Sequence, residues 1–209
     1  PSVMMHFQIR TLLNQFLKDY PKVQIELELT SRRVDLIHDD IDLAIRTNFQ
    51  ANEDSSLIVR DVIKTTHCLV ASPELLKGRH IQHFTELHEF PSVVLGMQKS
   101  QYYWHLNNRE HGEVIDIPLQ PRIKSNDLAG VYYAVCDGFG IADLPYLAVE
   151  QDIKQGKLIH VLPEWCSNLG TVQLVYASRK GQRLVMEKLI DYLVEGLRDL
   201  AKDHLGYAL

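Results

Sequence analysis

Apolar residues recur at helical spacing in two long segments, one near each end of the chain. In the first, residues 7–17, they repeat every three or four positions after Ser2, which can cap a helix. Asp19-Tyr20-Pro21 ends this helix, because proline restricts the residue before it to extended conformations. The second segment, about residues 182–203, predicts a long closing helix.

Shorter strand and helix patterns fill the sequence between these two helices. Residues 23–29 alternate strictly between apolar and polar, which predicts a strand with one exposed face. A short helix at 31–40 and a buried strand at 42–46 follow. A strand, a helix and a strand with short links predict a right-handed parallel crossover.

Two further strands, at 66–71 and 171–177, resemble each other, since each ends in Ala-Ser before a helix. They predict a chain that enters a second lobe through one strand and returns through the other. We therefore expect an α/β protein with two subdomains, subdomain I from 1–69 plus 171–209 and subdomain II from 70–170. Ligands of open α/β sheets bind at the carboxyl ends of the strands, so a crevice shared by the lobes is expected to hold one.

The stretch 125–145 contains Gly138 and Gly140 and resembles a dinucleotide-binding fingerprint at first sight. The pattern fails twice, because Asp143 replaces the third glycine and the glycines follow a helix instead of opening one. The stretch predicts a helix, a turn, a strand and a second helix that begins near Pro145.

Composition argues against direct binding to DNA or to an acidic membrane. The chain has 209 residues, a net charge of −5, and basic residues that are scattered along the sequence. Its three cysteines form no C-x-x-C pair, which is typical of a reducing compartment. No apolar run has membrane-spanning length and no signal peptide is visible, so we expect a cytoplasmic protein.

No pattern in the sequence indicates catalysis. The serine-hydrolase elbow, the phosphate-binding loop and the zinc-protease helix are all missing. His80, His83 and His88 do not have a standard zinc spacing and are expected to be solvated. The sequence therefore predicts no enzyme, no metal and no cofactor.

Several polar residues at element ends could bind a ligand, and each has a structural alternative. Ser2 and Asn126 could contact an anion or ligand at a helix start, or Ser2 could be an N-cap only. Arg46 could clamp a carboxylate or pair with an aspartate. Asp143 favours a cationic or hydroxyl-bearing ligand, or it caps the helix that follows.

Eight segments, in this order, resemble the effector-binding domain of LysR-type transcriptional regulators. They are Phe16-Leu-Lys-Asp-Tyr-Pro21, Val23-Gln-Ile-Glu-Leu27, Asp42-Leu-Ala-Ile-Arg46, Asp54-Ser-Ser-Leu-Ile58, Leu69-Val-Ala-Ser-Pro73, Asp137-Gly-Phe-Gly-Ile-Ala-Asp-Leu-Pro145, Gly156-Lys-Leu-Ile-His-Val-Leu-Pro163 and Leu189-Ile-Asp-Tyr-Leu-Val194.

The resemblance implies two Rossmann-like subdomains joined by two crossover strands, with the fold of type 2 periplasmic binding proteins and a small effector between the lobes. It also implies a set of effector-binding positions. They are Ser2, Val3, Met4, Arg46, Thr47, Gly96, Met97, Asn126, Ala142 and Asp143. The family's turn is usually apolar where this chain has Asp143, which argues against a simple carboxylate effector.

The partners implied by the resemblance are an unidentified small effector and a second copy of the chain, with a homodimer or a tetramer in the full-length protein. Promoter DNA would be bound only through an amino-terminal winged helix-turn-helix that this sequence does not include. A solute-binding protein of a transporter is the alternative, because it shares the fold. An enzyme on the same fold is a third class, and it lacks a convergent catalytic set.

Overall fold

The computed structural model describes residues 9–30, 34–48, 57–97, 101–177 and 184–202. The chain divides into two compact units. Unit 1 comprises Pro1–Thr65 and Gly170–Leu209, and unit 2 comprises Thr66–Leu169. Unit 1 is therefore discontinuous in sequence, whereas unit 2 is a single segment.

Two long strands, β2 (Leu57–Ala71) and β9 (Trp165–Ala177), run through both units. They are neighbours in a seven-stranded sheet. Its order is β5 (Val114–Leu119), β4 (Tyr102–Asn108), β9, β2 and β7 (Ala142–Pro145), while β1 (Ala44–Asn48) also pairs with β9 and β8 (Ile159–Val161) also pairs with β2. The strands predicted at 66–71 and 171–177 are thus confirmed, and both are longer than their sequence patterns indicated.

Unit 1 places two helices against the sheet. Strand β1 (Ala44–Asn48) pairs antiparallel with β9, with Ile45 opposite Leu174. Helix α1 (Arg10–Asp19) packs on the closing helix α5 (Leu184–Lys202). The two helices approach closely at Gly196, where an added Cβ would overlap the side chain of Leu12. Apolar residues of both helices and the sheet form one core, which includes Ile9, Leu13, Val62, Val172, Leu174, Leu193 and Leu197.

Two predictions for unit 1 are wrong. Residues 23–29 lie outside every strand of the described chain, although their alternation is strict, and Leu27 and Leu29 are 49% and 48% exposed. Alternation shows only that one face of a segment can be buried, whereas a strand also needs a neighbouring backbone to pair with. The second wrong prediction is the helix at 31–40, because the described residues 34–40 form only a turn. The Asp35 carboxylate accepts hydrogen bonds from the Ile37 and His38 amides in this turn.

Unit 2 contains a β-hairpin. Strands β4 (Tyr102–Asn108) and β5 (Val114–Leu119) pair antiparallel, and β4 continues the sheet beside β9. Alternate residues of β4 are buried, and Trp104 and Leu106 join the core of the unit.

A second, two-stranded sheet in unit 2 is parallel. It joins β3 (Ser92–Leu95) to β6 (Pro121–Ser125). Helix α3 (Leu128–Cys136) follows β6 and packs against both strands. The remaining elements are β7 (Ala142–Pro145), α4 (Tyr146–Lys154) and β8 (Ile159–Val161). Strands β7 and β8 both pair antiparallel with β2.

Two short helices of unit 2 begin with capping hydrogen bonds. Helix α2 (Pro73–Leu76) begins with proline, and the hydroxyl of Ser72 accepts a hydrogen bond from the Leu75 amide. A 3₁₀ helix (Phe84–Glu89) begins with a capping box in which the Glu86 carboxylate accepts from the His83 amide.

The glycines of the 125–145 stretch shape the backbone. Gly138 adopts φ +77°, a left-handed conformation that glycine adopts without strain, and it turns the chain after α3. Gly140 is needed for a different reason. An added Cβ would lie 2.7 Å from the Pro91 carbonyl oxygen and 3.0 Å from two further backbone atoms. Two hydrogen bonds, Ile141 N–H to the Pro91 carbonyl and Val93 N–H to the Ile141 carbonyl, depend on this close approach.

We therefore expect Gly140→Ala to destabilise the protein by about 1–3 kcal/mol, because backbone atoms must move to admit the methyl group. Denaturant unfolding measures the change. Gly112→Asn is the matched control, since Gly112 has φ +68° with open space around it, and asparagine tolerates that conformation. An unchanged unfolding midpoint for Gly140→Ala would contradict the role assigned to this contact.

Candidate functional site

Two predicted site positions, Gly96 and Asn126, meet at one edge of the two-stranded sheet. The strands β3 and β6 are parallel, so their carboxyl ends lie together, with Leu95 opposite Ser125. The Gly96 amide donates a hydrogen bond to the Ser125 carbonyl at 2.7 Å. Gly96 has φ +123°, which a residue with a Cβ rarely adopts. Asn126 follows directly and its side chain is exposed.

The start of helix α3, beside Asn126, is capped by Asp127. Its carboxylate accepts from the Gly130 amide at 3.3 Å. The Ser125 hydroxyl accepts from the Asp127 amide and donates to the Asp127 carbonyl, both at 3.0 Å. Gly130 leaves room for this hydroxyl, since an added Cβ would lie 2.8 Å from it. The helix start therefore carries its own negative charge, which disfavours an anionic ligand there.

The surroundings of Gly96 are partly apolar and partly cationic. The Tyr102 hydroxyl donates to the Gly96 carbonyl at 3.1 Å, and the Lys124 ammonium lies 4.8 Å from the centroid of the Tyr102 ring. Met97, another predicted position, is 68% exposed. This edge thus offers a ligand the side-chain amide of Asn126, the flexible apolar side chain of Met97 and the Lys124 ammonium.

Asp143 lies in a buried polar network of unit 2. The Ser167 hydroxyl donates to its carboxylate at 2.6 Å, and His67 Nδ1 lies 3.2 Å from the same oxygen. The side chains of His67 and Asp143 are only 12% and 14% exposed. The helix α4, which follows Pro145, has no side-chain cap, so Asp143 does not fulfil the capping alternative. The Asp143 carboxylate therefore connects β7 to β2 through His67 and to β9 through Ser167.

Ala142 is fully buried opposite Val70 in the β7–β2 pairing. Its methyl group therefore packs in the interior of unit 2.

The remaining described positions, Arg46 and Thr47, lie in unit 1 on β1. Successive residues of a strand point to opposite faces, so these two side chains face different sides of the sheet. Thr47 is opposite Val172, which belongs to the apolar core, whereas Arg46 is opposite Gln173. Ser2, Val3 and Met4 lie outside the described residues.

Sequence reasoning missed Gln173, which lies opposite Arg46, and its partner Asp61. Gln173 is 7% exposed in the middle of an apolar strand, and its Nε2 donates to the Asp61 carboxylate at 2.7 Å. A single glutamine between Val172 and Leu174 was the available signal, because a buried polar side chain needs a partner.

A separate concavity of about 150 Å³ lies in unit 2 between α2 and β8. Leu76 and Leu162 are among its apolar lining residues, and His80 and His160 are polar ones. Burial lowers the pKa of His160 to about 4, and the positive charge of Arg109 lowers it further. His160 is therefore neutral near pH 7.

Two of the three cysteines have thiols that ionise less readily than usual. All three are free, and burial is the main cause that raises the pKa of Cys68 and of Cys136. Within the described residues, no group of histidine, cysteine, aspartate and glutamate could hold a metal ion. The helices of the described segments include none that is long and apolar enough to cross a membrane.

The family is shown by comparison with known proteins. The chain belongs to the LysR substrate binding domain family, whose model matches residues 1–198. The α/β fold expected from the sequence is confirmed, because the regulatory domain of CrgA from Neisseria meningitidis superimposes with a TM-score of 0.81. That structure is 26% identical and is matched over 93% of this chain and 94% of its own.

Other relatives are regulators as well. The regulatory domain of AphB from Vibrio vulnificus has a TM-score of 0.74 at 27% identity, over 92% of this chain and 94% of that one. PtxR of Pseudomonas aeruginosa is 26% identical over 99% of this chain, and DmlR of Escherichia coli is 30% identical over 90%. The chain spans 62% and 61% of the length of these two curated relatives. These matches support a regulator's domain over the transporter alternative.

His160 makes stability depend on pH. Its folded pKa of about 4 lies below the ordinary value of 6.5, so only the unfolded state takes up this proton between the two. Stability contributed by the neutral ring is complete above about pH 6.5 and is lost as the pH falls towards about 4. We expect the stability difference between the wild-type chain and His160→Gln to change by about 2 kcal/mol over this range.

Denaturant unfolding at several pH values measures this difference, with the exposed His111→Gln as the matched control. Curves for the wild type and His160→Gln that stay parallel down to pH 4 would refute the assignment.

Proposed function

We propose that this chain is the ligand-sensing domain of a transcription regulator, and that DNA binding is carried by a separate domain. The observation that carries this proposal is the family match over residues 1–198. The curated relatives named above are HTH-type regulators, and the chain corresponds to about three fifths of their length. A helix-turn-helix domain would account for the remainder of such a protein.

The proposed effector contacts are polar and apolar groups at strand ends. In unit 2, Gly96, Met97 and Asn126 lie at one edge of the parallel sheet. In unit 1, Arg46 supplies a cation on one face of β1. Ser2, Val3, Met4, Thr47, Ala142 and Asp143 complete the proposed set. The buried network around Asp143 and the buried methyl of Ala142 suit positioning roles better than direct contact.

The Asp143 network also changes the expected ligand chemistry. The sequence placed a carboxylate effector in doubt, because Asp143 would repel it. Asp143 is 14% exposed, and one of its oxygens accepts a hydrogen bond from Ser167. The carboxylate near the start of α3 that faces solvent belongs to Asp127. An effector that carries an anionic group therefore fits Arg46 better than the start of α3.

The proposed mechanism is a population shift. An effector that binds one arrangement of the domain more tightly favours that arrangement, by as much as its affinity for the two states differs. In the complete regulator, this change would alter how a homodimer or tetramer holds promoter DNA in the cytoplasm. An enzymatic role is not proposed, since the Ser167 hydroxyl in the buried Asp143 network donates to the carboxylate and not to a base that would activate it.

The proposal predicts that a screen of small organic acids will raise the melting temperature of this chain, because a ligand that binds only the folded state stabilises it. Arg46→Ala and Asn126→Ala should each lower the affinity of the chain for the active compound about tenfold or more, since each removes a polar contact. Arg60→Ala is the control for Arg46, because Arg60 is paired with Asp191 on the same unit. Full binding by both Arg46→Ala and Asn126→Ala would refute this site.

A further inference from the structure

The concavity between α2 and β8 lies apart from the proposed effector contacts. It belongs to unit 2, and none of its lining residues is among the positions proposed above to contact the effector. One side is formed by Leu76 and by residues 79–81, which follow α2. The other side is formed by β8 and the two residues after it. A ligand bound in this concavity would therefore be separate from the effector.

Backbone strain in unit 2 is concentrated at the borders of this concavity. In the described part of unit 2, the non-glycine residues with positive φ are Lys77 and Leu162, both at +50°. Lys77 directly follows Leu76 and ends α2, where a left-handed residue commonly caps a helix. Leu162 has no such explanation, because leucine avoids this conformation and the following Pro163 favours an extended one. Strained residues are frequent at ligand sites.

The space is large enough for one six-membered ring. Its volume is about 150 Å³, and an apolar protein cavity of about that volume admits benzene. Most of the lining residues are apolar, and they are Leu76, Ile81, Ile159, Val161, Leu162 and Pro163. An apolar ring that displaces water from such a surface gains affinity, so the lining favours a ring as the body of the ligand.

The charges around the concavity favour an uncharged ligand. The guanidinium of Arg79 donates to the Glu89 carboxylate at 2.6 Å, so an anionic ligand would have to compete with Glu89. Burial, and then the positive charge of Arg109, lowers the pKa of His160 to about 4, so this part of the lining is neutral near pH 7. A cationic ligand would be repelled by Arg79 and by Arg109.

His80 supplies a polar group that a ligand can reach. It lines the concavity and its side chain is exposed to solvent. A neutral imidazole carries one donor nitrogen and one acceptor nitrogen. A hydroxyl group can pair with either nitrogen, because it both donates and accepts hydrogen bonds. The lining therefore matches a ring that carries one hydroxyl group.

We propose that the concavity between α2 and β8 binds a small uncharged ring compound with one hydroxyl group, of which phenol is the simplest aromatic example. The ring packs between Ile81 and Ile159, and the hydroxyl forms a hydrogen bond with His80. The left-handed backbone at Leu162 turns the chain after β8 and forms one border of this site. The site goes beyond the proposed effector-binding function and does not depend on it.

Three compounds with the same ring test the proposal. Phenol, toluene and benzoate carry a hydroxyl, a methyl and a carboxylate group. We expect phenol to bind with a Kd of about 1 mM or less, as a well-fitted ligand of this size can. Toluene should bind about threefold to tenfold more weakly, because it lacks one hydrogen bond, and benzoate should also bind more weakly than phenol.

NMR titration of the chain, with its isoleucine methyl groups labelled, measures these affinities. The methyl signals of Ile81 and Ile159, identified by their loss in Ile81→Val and Ile159→Val, should shift as phenol is added. The signal of Ile58, which lies in unit 1, should stay in place.

Two variants locate the ligand. Ile81→Trp should weaken phenol binding at least about tenfold, because the indole ring fills the concavity, and Ile58→Trp at a 39% exposed position is the matched control. His80→Ala should bring the preference for phenol over toluene close to one. His111→Ala, at an exposed histidine outside the concavity, should leave that preference unchanged. A purely structural role of His80 would alter the melting temperature and leave the preference intact.

Several results overturn the inference. They are absence of phenol binding at about 10 mM, full binding by Ile81→Trp, equal affinity for phenol and toluene, and tighter binding of benzoate than of phenol. If Ile81→Trp does not fold, the methyl shifts and the loss of preference in His80→Ala decide. The effector contacts are tested separately by Arg46→Ala and Asn126→Ala, so failure of this site leaves the proposed function standing.

Discussion

The backbone hydrogen bonds of β2 and β9 are the constraint on which the rest of the structure depends. Strands β1 and β4 pair with β9, strands β7 and β8 pair with β2, and the two long strands are neighbours. Among the strands formed by the described residues of the main sheet, β5 alone is attached through another strand. Interior backbone groups must be paired, so a break in either long strand would leave unpaired groups in both units. The polar side chains of interest lie along these same two strands.

Local sequence patterns predicted most elements of the fold. They were least informative for strands, whose formation depends on pairing with segments that are distant in the sequence. The starts of α2 and of the 3₁₀ helix Phe84–Glu89 depend on local sequence, because each cap is a contact between near neighbours. The continuous strand Leu57–Ala71 appeared in the sequence as an extended piece and a separate strand. Residues 23–29 show the opposite error, since their alternation is clear and no neighbouring strand pairs with them among the described residues.

The site was predictable in position and less so in chemistry. Gly96 and Asn126 were both named as site positions, and they lie together because the parallel strands β3 and β6 end at one edge. The partners of Asp143 could not be predicted, because His67 and Ser167 are 76 and 24 residues away along the chain. The pairing of Gln173 with Asp61 spans 112 residues, which explains why both were missed.

The discontinuity of unit 1 has a consequence for the order in which the protein is made. Unit 2 is one segment, Thr66–Leu169, so a ribosome delivers all of it before the second segment of unit 1, Gly170–Leu209, exists. The core of unit 1 needs α5, at Leu184–Lys202, to cover α1 and the sheet. During synthesis, residues 1–65 must therefore wait with apolar side chains uncovered, while the segment behind them can already fold. Chaperone demand and misfolding should consequently concentrate in the segment of unit 1 that precedes unit 2.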